Sequence, residues 1–219
     1  MDRSHILGVI LAGGQSRRMG TDKAKLQING VSMLQRNLHL FSECGFQDVV
    51  VCRNHPDYLA DIHVNCGPMG AIHSALHYAQ KKEQIKGLII IPIDMPLLDK
   101  ELINQLIVAD EKALAFFSKN KPSKNNKNEL DVSVRVTGDK AINPARHFQN
   151  TPLPLFLPNH SSLLSLSEAV ATSSADRSIK AFLSRIDCES IISQEPEKLV
   201  NTNDKAQWQQ ALDVLDHIS

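Results

Sequence analysis

The chain has 219 residues, enough to bury one sizeable core and to form a single domain spanning 1–219. Its 24 Lys and Arg balance 24 Asp and Glu, which excludes a global field drawing it to nucleic acid or an acidic membrane and makes any phosphate affinity local. Cys44, Cys52, Cys66 and Cys188 form no CxxC pair, and the N-terminal apolar stretch is too short for a signal peptide or membrane span, so a reducing cytoplasm is the expected location.

Residues 6–12, ILGVILA, form an apolar run without alternation, the pattern of a strand buried on both faces. Residues 32–44 predict a helix with Leu34, Leu38 and Phe41 inward, Ser32 as N-cap and Gly45 at the stop. DVVV (48–51) predicts a second strand and IHV (62–64) a short third. Met69 to Lys81 predicts a helix with Ile72, Leu76 and Ala79 inward, and GLIIIPID (87–94) is the most strand-like run in the chain. A helix capped by Asp99 follows from Lys100 to Ala109, with Leu102, Ile103, Leu106 and Ile107 at helical spacing. Repeated βα units of this length imply an α/β, Rossmann-like, mostly parallel open sheet with helices on both faces.

That rhythm then breaks. Residues 118–129, SKNKPSKNNKNE, are polar and lysine-rich and predict an exposed loop; a nucleic-acid arm is disfavoured because the lysines lack interleaved aromatics. LDVSVRV (130–136) alternates cleanly, as a half-buried strand in a small antiparallel element does. Helices near 161–172, 177–186 and 204–217, with a strand at 188–193, complete the chain. Asp99, Asp176 and Asn203 have the positions of helix caps.

The stretch LAGGQSRRMGTDKAKL (11–26) begins where the first strand ends, the edge at which open α/β sheets bind ligands. Glycines there let backbone N–H groups approach phosphate oxygens, and Arg17, Arg18 and Lys23 can neutralise several phosphate charges. The order is that of a triphosphate loop. It is neither a Walker loop, since Thr21, Asp22 and Lys23 follow Gly20, nor a dinucleotide fingerprint, since Gly13, Gly14 and Gly20 do not make GxGxxG. Asp94, closing the buried run IIIPID, can hold Mg²⁺ against a substrate triphosphate with phosphate oxygens and water as the other ligands. His73 and His77 have i, i+4 spacing, but Ser74 stands where a metalloprotease needs glutamate and no third ligand is signalled, so they are surface or packing histidines. Ser16 lies in no GxSxG elbow.

The same stretch resembles the signature LAGGxSxRMGxxKxxL of nucleotidyltransferases with the glycosyltransferase-A-like (nucleotide-diphospho-sugar transferase-like) fold, most closely the molybdenum cofactor guanylyltransferases. In the same order, GPMGAI (67–72) is similar to the family's GPLAGI loop, IIIPIDMPLL (89–98) to its strand ending in xxDxP, TPLPLFLP (151–158) to its PLPxLL segment and LVNTNDKAQW (199–208) to its terminal NxNTPxD segment. The resemblance implies that a terminal phosphate of metal-loaded molybdopterin attacks the α-phosphorus of GTP, releasing pyrophosphate and forming molybdopterin guanine dinucleotide. It assigns nucleotide binding to Leu11, Ala12, Gly13, Gly14, Lys23, Asn65, Gly67 and Asp94, charge stabilisation to Arg17, Arg18, Lys23 and Asp94, and the Mg²⁺ to Asp94. LAGG rather than LAAG accompanies guanine nucleotides in that family.

Two positions depart from the family pattern: Cys52 replaces an asparagine, for which Asn54 is the nearest substitute, and only Asn65 approximates an aspartate before the GPLAG loop. A preference for GTP over CTP, weaker than a fully matching site gives, is therefore expected. A transferase using CTP or another NTP with molybdopterin or a sugar or polyol phosphate remains an alternative, as does a non-catalytic nucleotide-binding regulator. Cofactor-accepting molybdoenzymes or their chaperones are the implied protein partners.

Overall fold

The computed structural model describes residues 2–13, 20–107 and 144–218. Six strands form one sheet: β1 (Ile6–Leu11), β4 (Asp48–Cys52), β5 (Gly87–Pro92), β6 (Ala145–Phe148), β7 (Leu155–Pro158) and β8 (Cys188–Ile191). Their spatial order is β4-β1-β5-β7-β6-β8, with β2 (Gln27–Ile28) and β3 (Val31–Ser32) making a separate antiparallel hairpin. All the strands of the large sheet run the same way except β7, which is antiparallel to both β5 and β6. Every residue of β1, β5 and β7 is buried, which accounts for their unbroken apolar composition.

Helices α1 (Met33–Glu43), α3 (Lys100–Ile107) and α6 (Lys205–Ile218) pack on one face, while α2 (Gly67–Gln80), α4 (Ser161–Ala171) and α5 (Ile179–Leu183) pack on the other. Ser32 caps α1 in a reciprocal capping box with Gln35, and Gly45 adopts φ +79° beyond its end. The buried face of α1 differs from the expected one: Met33, Asn37, Leu40 and Phe41 point inward, whereas Leu38 is 39% exposed. Phe41 sets this rotation by lying over Gly8 of β1, where an added Cβ would stand 3.1 Å from the ring. On α2, Ile72, Leu76 and Ala79 are fully buried as their spacing predicts.

The expected strand at 62–64 does not form. Asn65 takes φ +61°, Ile62 and Val64 face outward, and among the described residues the sheet edge beyond β4 receives only a bridge from Leu59 to Cys52. The chain turns here instead of extending, so β-branched side chains are overridden by the turn. The lysine-rich loop, the 130–136 strand and the last turn of the 100–109 helix lie outside the described residues.

Candidate active site

Three parallel strands end together at one edge. Leu11 of β1 pairs with Cys52 of β4 and with Pro92 of β5, and the ladder continues as Ala12 N–H donates to Cys52 O (3.0 Å) and Ile93 N–H to Leu11 O (3.1 Å). This register delivers Gly13, Arg53 and Asp94, each one or two residues past its strand, to the carboxyl edge where open α/β sheets bind ligands. A cavity of about 820 Å³ opens there, lined by Leu11, Ala12 and Gly13, by Gly20, Thr21 and Asp22, by Arg53, Asn54, Asp61 and Asn65, and by Gly67, Pro68 and Ala71 of α2. Gly67, with φ +61°, and Pro68 start α2 beside the same space, without a side-chain cap.

The cavity's polar groups hold one another in place. Arg53 Nη2 donates to Asp22 Oδ2 at 2.5 Å, and Asp22 Oδ1 accepts from Ala24 N–H, capping the turn Lys23–Lys25. Partial burial disfavours the charged Asp22, but the Arg53 guanidinium and the Ala24 N–H outweigh it and keep its carboxyl below the usual carboxylate range. Across the cavity, Asn54 accepts from Asp61 N–H (2.9 Å) and donates to Asp61 Oδ2 (3.1 Å). Burial raises the Asp61 carboxyl above its ordinary value, with the Asn54 hydrogen bond opposing.

Of the residues expected at the site, Leu11, Ala12, Gly13, Asn65 and Gly67 line the cavity. Lys23 and Asp94 meet in a cluster of their own: Lys23 Nζ donates to Asp94 Oδ2 at 2.7 Å and to Asn203 Oδ1 at 3.2 Å. Asp94 is anchored through its backbone, its carbonyl accepting from Thr202 N–H (2.8 Å) and Thr202 Oγ1 (3.1 Å). Gly14, Arg17 and Arg18 lie outside the described residues. A hard carboxylate at this edge, with phosphate oxygens and water to complete the shell, suits Mg²⁺.

Asn203 is not the helix cap its position predicts. Asp204 accepts from Gln207 N–H in that role and leaves Asn203 to Lys23. Asp176 likewise bonds Ser178 N–H while Ser178 caps α5, whereas Asp99 caps α3 as expected by accepting from Leu102 N–H.

Sequence reasoning did not single out Arg53 or Asp61. Arg53 was legible as the residue directly after a strand adjoining the loop, but Asp61 needed the Asn54 contact. Cys52 is not among the cavity-lining residues; it is 1% exposed, its thiol lies 3.7 Å from Ala71 O, and burial pushes its pKa up to about 12. It belongs to the core cluster. His73 is buried and bonded to Ser167, and burial holds its imidazole below its ordinary value.

A glycine-led strand end, a lysine–aspartate cluster and a polar cavity on a mostly parallel sheet define a nucleotide-handling α/β transferase. Residues 8–191 match the MobA-like NTP transferase domain. The chain belongs to that family. A molybdenum cofactor guanylyltransferase of Xanthomonas euvesicatoria pv. vesicatoria is 30% identical over 206 residues, covering 92% of this chain and 91% of that protein. A second, from Rhizobium johnstonii, is 35% identical over 118 residues, covering 51% of this chain and 55% of that protein. Molybdopterin-guanine dinucleotide biosynthesis protein A of Archaeoglobus fulgidus shares the fold at a TM-score of 0.66 and 18% identity, covering 96% of this chain and 99% of that one. Among the described residues, no helix is long and apolar enough to cross a membrane.

Proposed function

We propose that this chain, acting as one nucleotidyltransferase domain over residues 1–219, transfers GMP from GTP to molybdopterin, giving molybdopterin guanine dinucleotide and pyrophosphate in the cytoplasm. The observation that carries this reading is the Lys23–Asp94–Asn203 cluster, one residue beyond the cavity-lining Asp22 and at the shared end of β1 and β5. The relatives named above support the choice of donor and acceptor.

In the transfer, a molybdopterin phosphate oxygen bonds to the α-phosphorus of GTP while the bond to the β-phosphate oxygen breaks in line. A phosphate nucleophile is already ionised at neutral pH, so no general base is needed. The chain's work is positioning and charge stabilisation. The Gly13 and Gly14 backbone, with Arg17, Arg18 and Lys23, holds the triphosphate. Asp94 would hold Mg²⁺, which supplies charge neutralisation on the triphosphate and the departing pyrophosphate. Before substrate arrives, Lys23 compensates the Asp94 charge; Asp22 and Arg53 position Lys23 by fixing its turn. Asp61, rather than Asn65, supplies the carboxylate that accepts from the N1 and N2 hydrogens of guanine, with Asn54 as its support. Leu11, Ala12, Asn65 and Gly67 shape the nucleotide cavity around it. Molybdoenzymes or their chaperones would receive the product.

The test combines purified protein, Mg²⁺, molybdopterin and each α-labelled nucleotide in turn. Labelled dinucleotide and pyrophosphate are expected from GTP. Faster labelling from CTP overturns the guanine assignment, and no labelling from any nucleotide overturns the transfer itself.

A further inference from the structure

We propose that His63, His73 and Glu168 form a zinc-type divalent-cation site that fastens the 61–65 loop to α2 and α4, separate from the Asp94 cluster. One ligand atom from each residue lies within 4.8 Å of the other two. His63 Nε2 stands 3.3 Å from Glu168 Oε1. With Zn–N and Zn–O bonds near 2.0–2.1 Å, two ligands on a tetrahedral ion are separated by about 3.3 Å, so this pair already spans a coordination edge. The rings of His63 and His73 lie 5.2 Å apart at 33°, and a modest closure brings the third ligand in.

The buried histidine is prepared for this role. Ser167 Oγ donates to Leu164 O at 2.7 Å, so at its 3.0 Å contact with His73 it accepts the Nδ1 proton. Nε2 is then left with its lone pair, and the serine fixes the ring as an outer-shell partner of a metal-bound histidine does. His73 is 3% exposed, whereas the side chains of His63 and Glu168 are 29% and 56% exposed, so the cluster has an anchored base and an open entry. Two imidazoles and one carboxylate favour zinc-like ions over Mg²⁺ or Ca²⁺ and leave a fourth position for water.

The loop is seated to deliver His63. Ile62 N–H donates to Ser74 Oγ (2.8 Å), and the His63 carbonyl lies so close to α2 that a Cβ on Gly70 would stand 2.8 Å from it. His63 sits between Asp61 and Asn65, both of which line the nucleotide cavity, so a bound ion would restrain the loop that presents them.

The test uses the metal-stripped full chain without nucleotide, titrated with Co²⁺ and then Zn²⁺. One Co²⁺ per chain is expected, with the visible absorption of a four-coordinate nitrogen–oxygen site, displaced by Zn²⁺. Saturating Zn²⁺ should raise the thermal midpoint by several degrees. His63→Ala and Glu168→Gln should each weaken binding about tenfold or more while leaving the metal-free midpoint unchanged, and Asp94→Asn should bind as the unaltered chain does. Unaltered affinity in both ligand variants, thiolate charge-transfer bands, loss of binding in Asp94→Asn, or no binding by the unaltered chain overturns the site.

Discussion

The two halves of the large sheet are both densely packed, yet they use charge differently. In the β4-β1-β5 half, the charged groups Asp22, Arg53 and Asp94 lie past strand ends and are partly accessible. In the β7-β6-β8 half, Arg146 sits inside strand β6 and is 1% exposed. Its Nη1 donates to the carbonyls of Leu106 (2.7 Å) and Ile107 (3.2 Å) in α3, while its guanidinium lies 4.8 Å from the Phe156 ring centre and 3.8 Å from Glu189. A charge beyond a strand end faces what comes from solvent, whereas a charge inside a strand is committed to joining elements. Arg146 fastens α3 to the sheet.

The largest expected effect lies on the first side of that comparison. Asp94→Asn should reduce GMP transfer by at least about 10³-fold, because a metal's charge stabilisation amounts to several kcal/mol, with the thermal midpoint nearly unchanged. Turnover near normal at ordinary Mg²⁺ would break the assignment of strand-end charge to function. Arg146→Leu should do the reverse. Losing its hydrogen bonds to the Leu106 and Ile107 carbonyls should lower the Tm by a few degrees, while transfer per folded molecule stays the same. A kinetic defect without a stability defect would merge the two halves' roles.

Asp61→Asn sharpens the comparison within the site. Losing the carboxylate should lower the GTP-to-CTP turnover ratio about 10- to 100-fold, equivalent to about 1–3 kcal/mol. The sign with pH follows from the raised pKa. Only the ionised carboxylate accepts both guanine hydrogens, so the ratio should fall as pH drops through that raised value, at higher pH than an ordinary aspartate gives. Competition between the labelled nucleotides across pH should give a low, flat ratio for the variant. Cys52→Asn is the smallest change: it places an amide in the core beside Ala71, lowering stability by about 1–2 kcal/mol and leaving the nucleotide ratio alone. A raised GTP preference would return that position to the site.

Much of this architecture was legible because periodicity reports burial. β1, β5, α2 and α3 follow directly from apolar spacing, and the cavity's place at the carboxyl edge follows from where β1 ends. The rotation of α1 was not legible, since it depends on Phe41 finding the gap above Gly8, a contact 33 residues apart in the chain. The 62–64 segment misled because β-branched residues there serve a turn. Asn203 and Asp204 both have capping chemistry, and only the proximity of Lys23 divides the roles. His63 and Glu168 are 105 positions apart, so local spacing on α2 offered His73 and His77 but no third ligand.

The bonds that Thr202 N–H and Oγ1 donate to the Asp94 carbonyl, together with the Asn203 contact on Lys23, bear on the order in which the protein matures. During synthesis β1, β4 and β5 are complete more than a hundred residues before Thr202 is added. Until then the Asp94 carbonyl and the Lys23 ammonium lack these C-terminal partners. The Lys23–Asp94 pair acquires these partners only once residues 202 and 203 have been added.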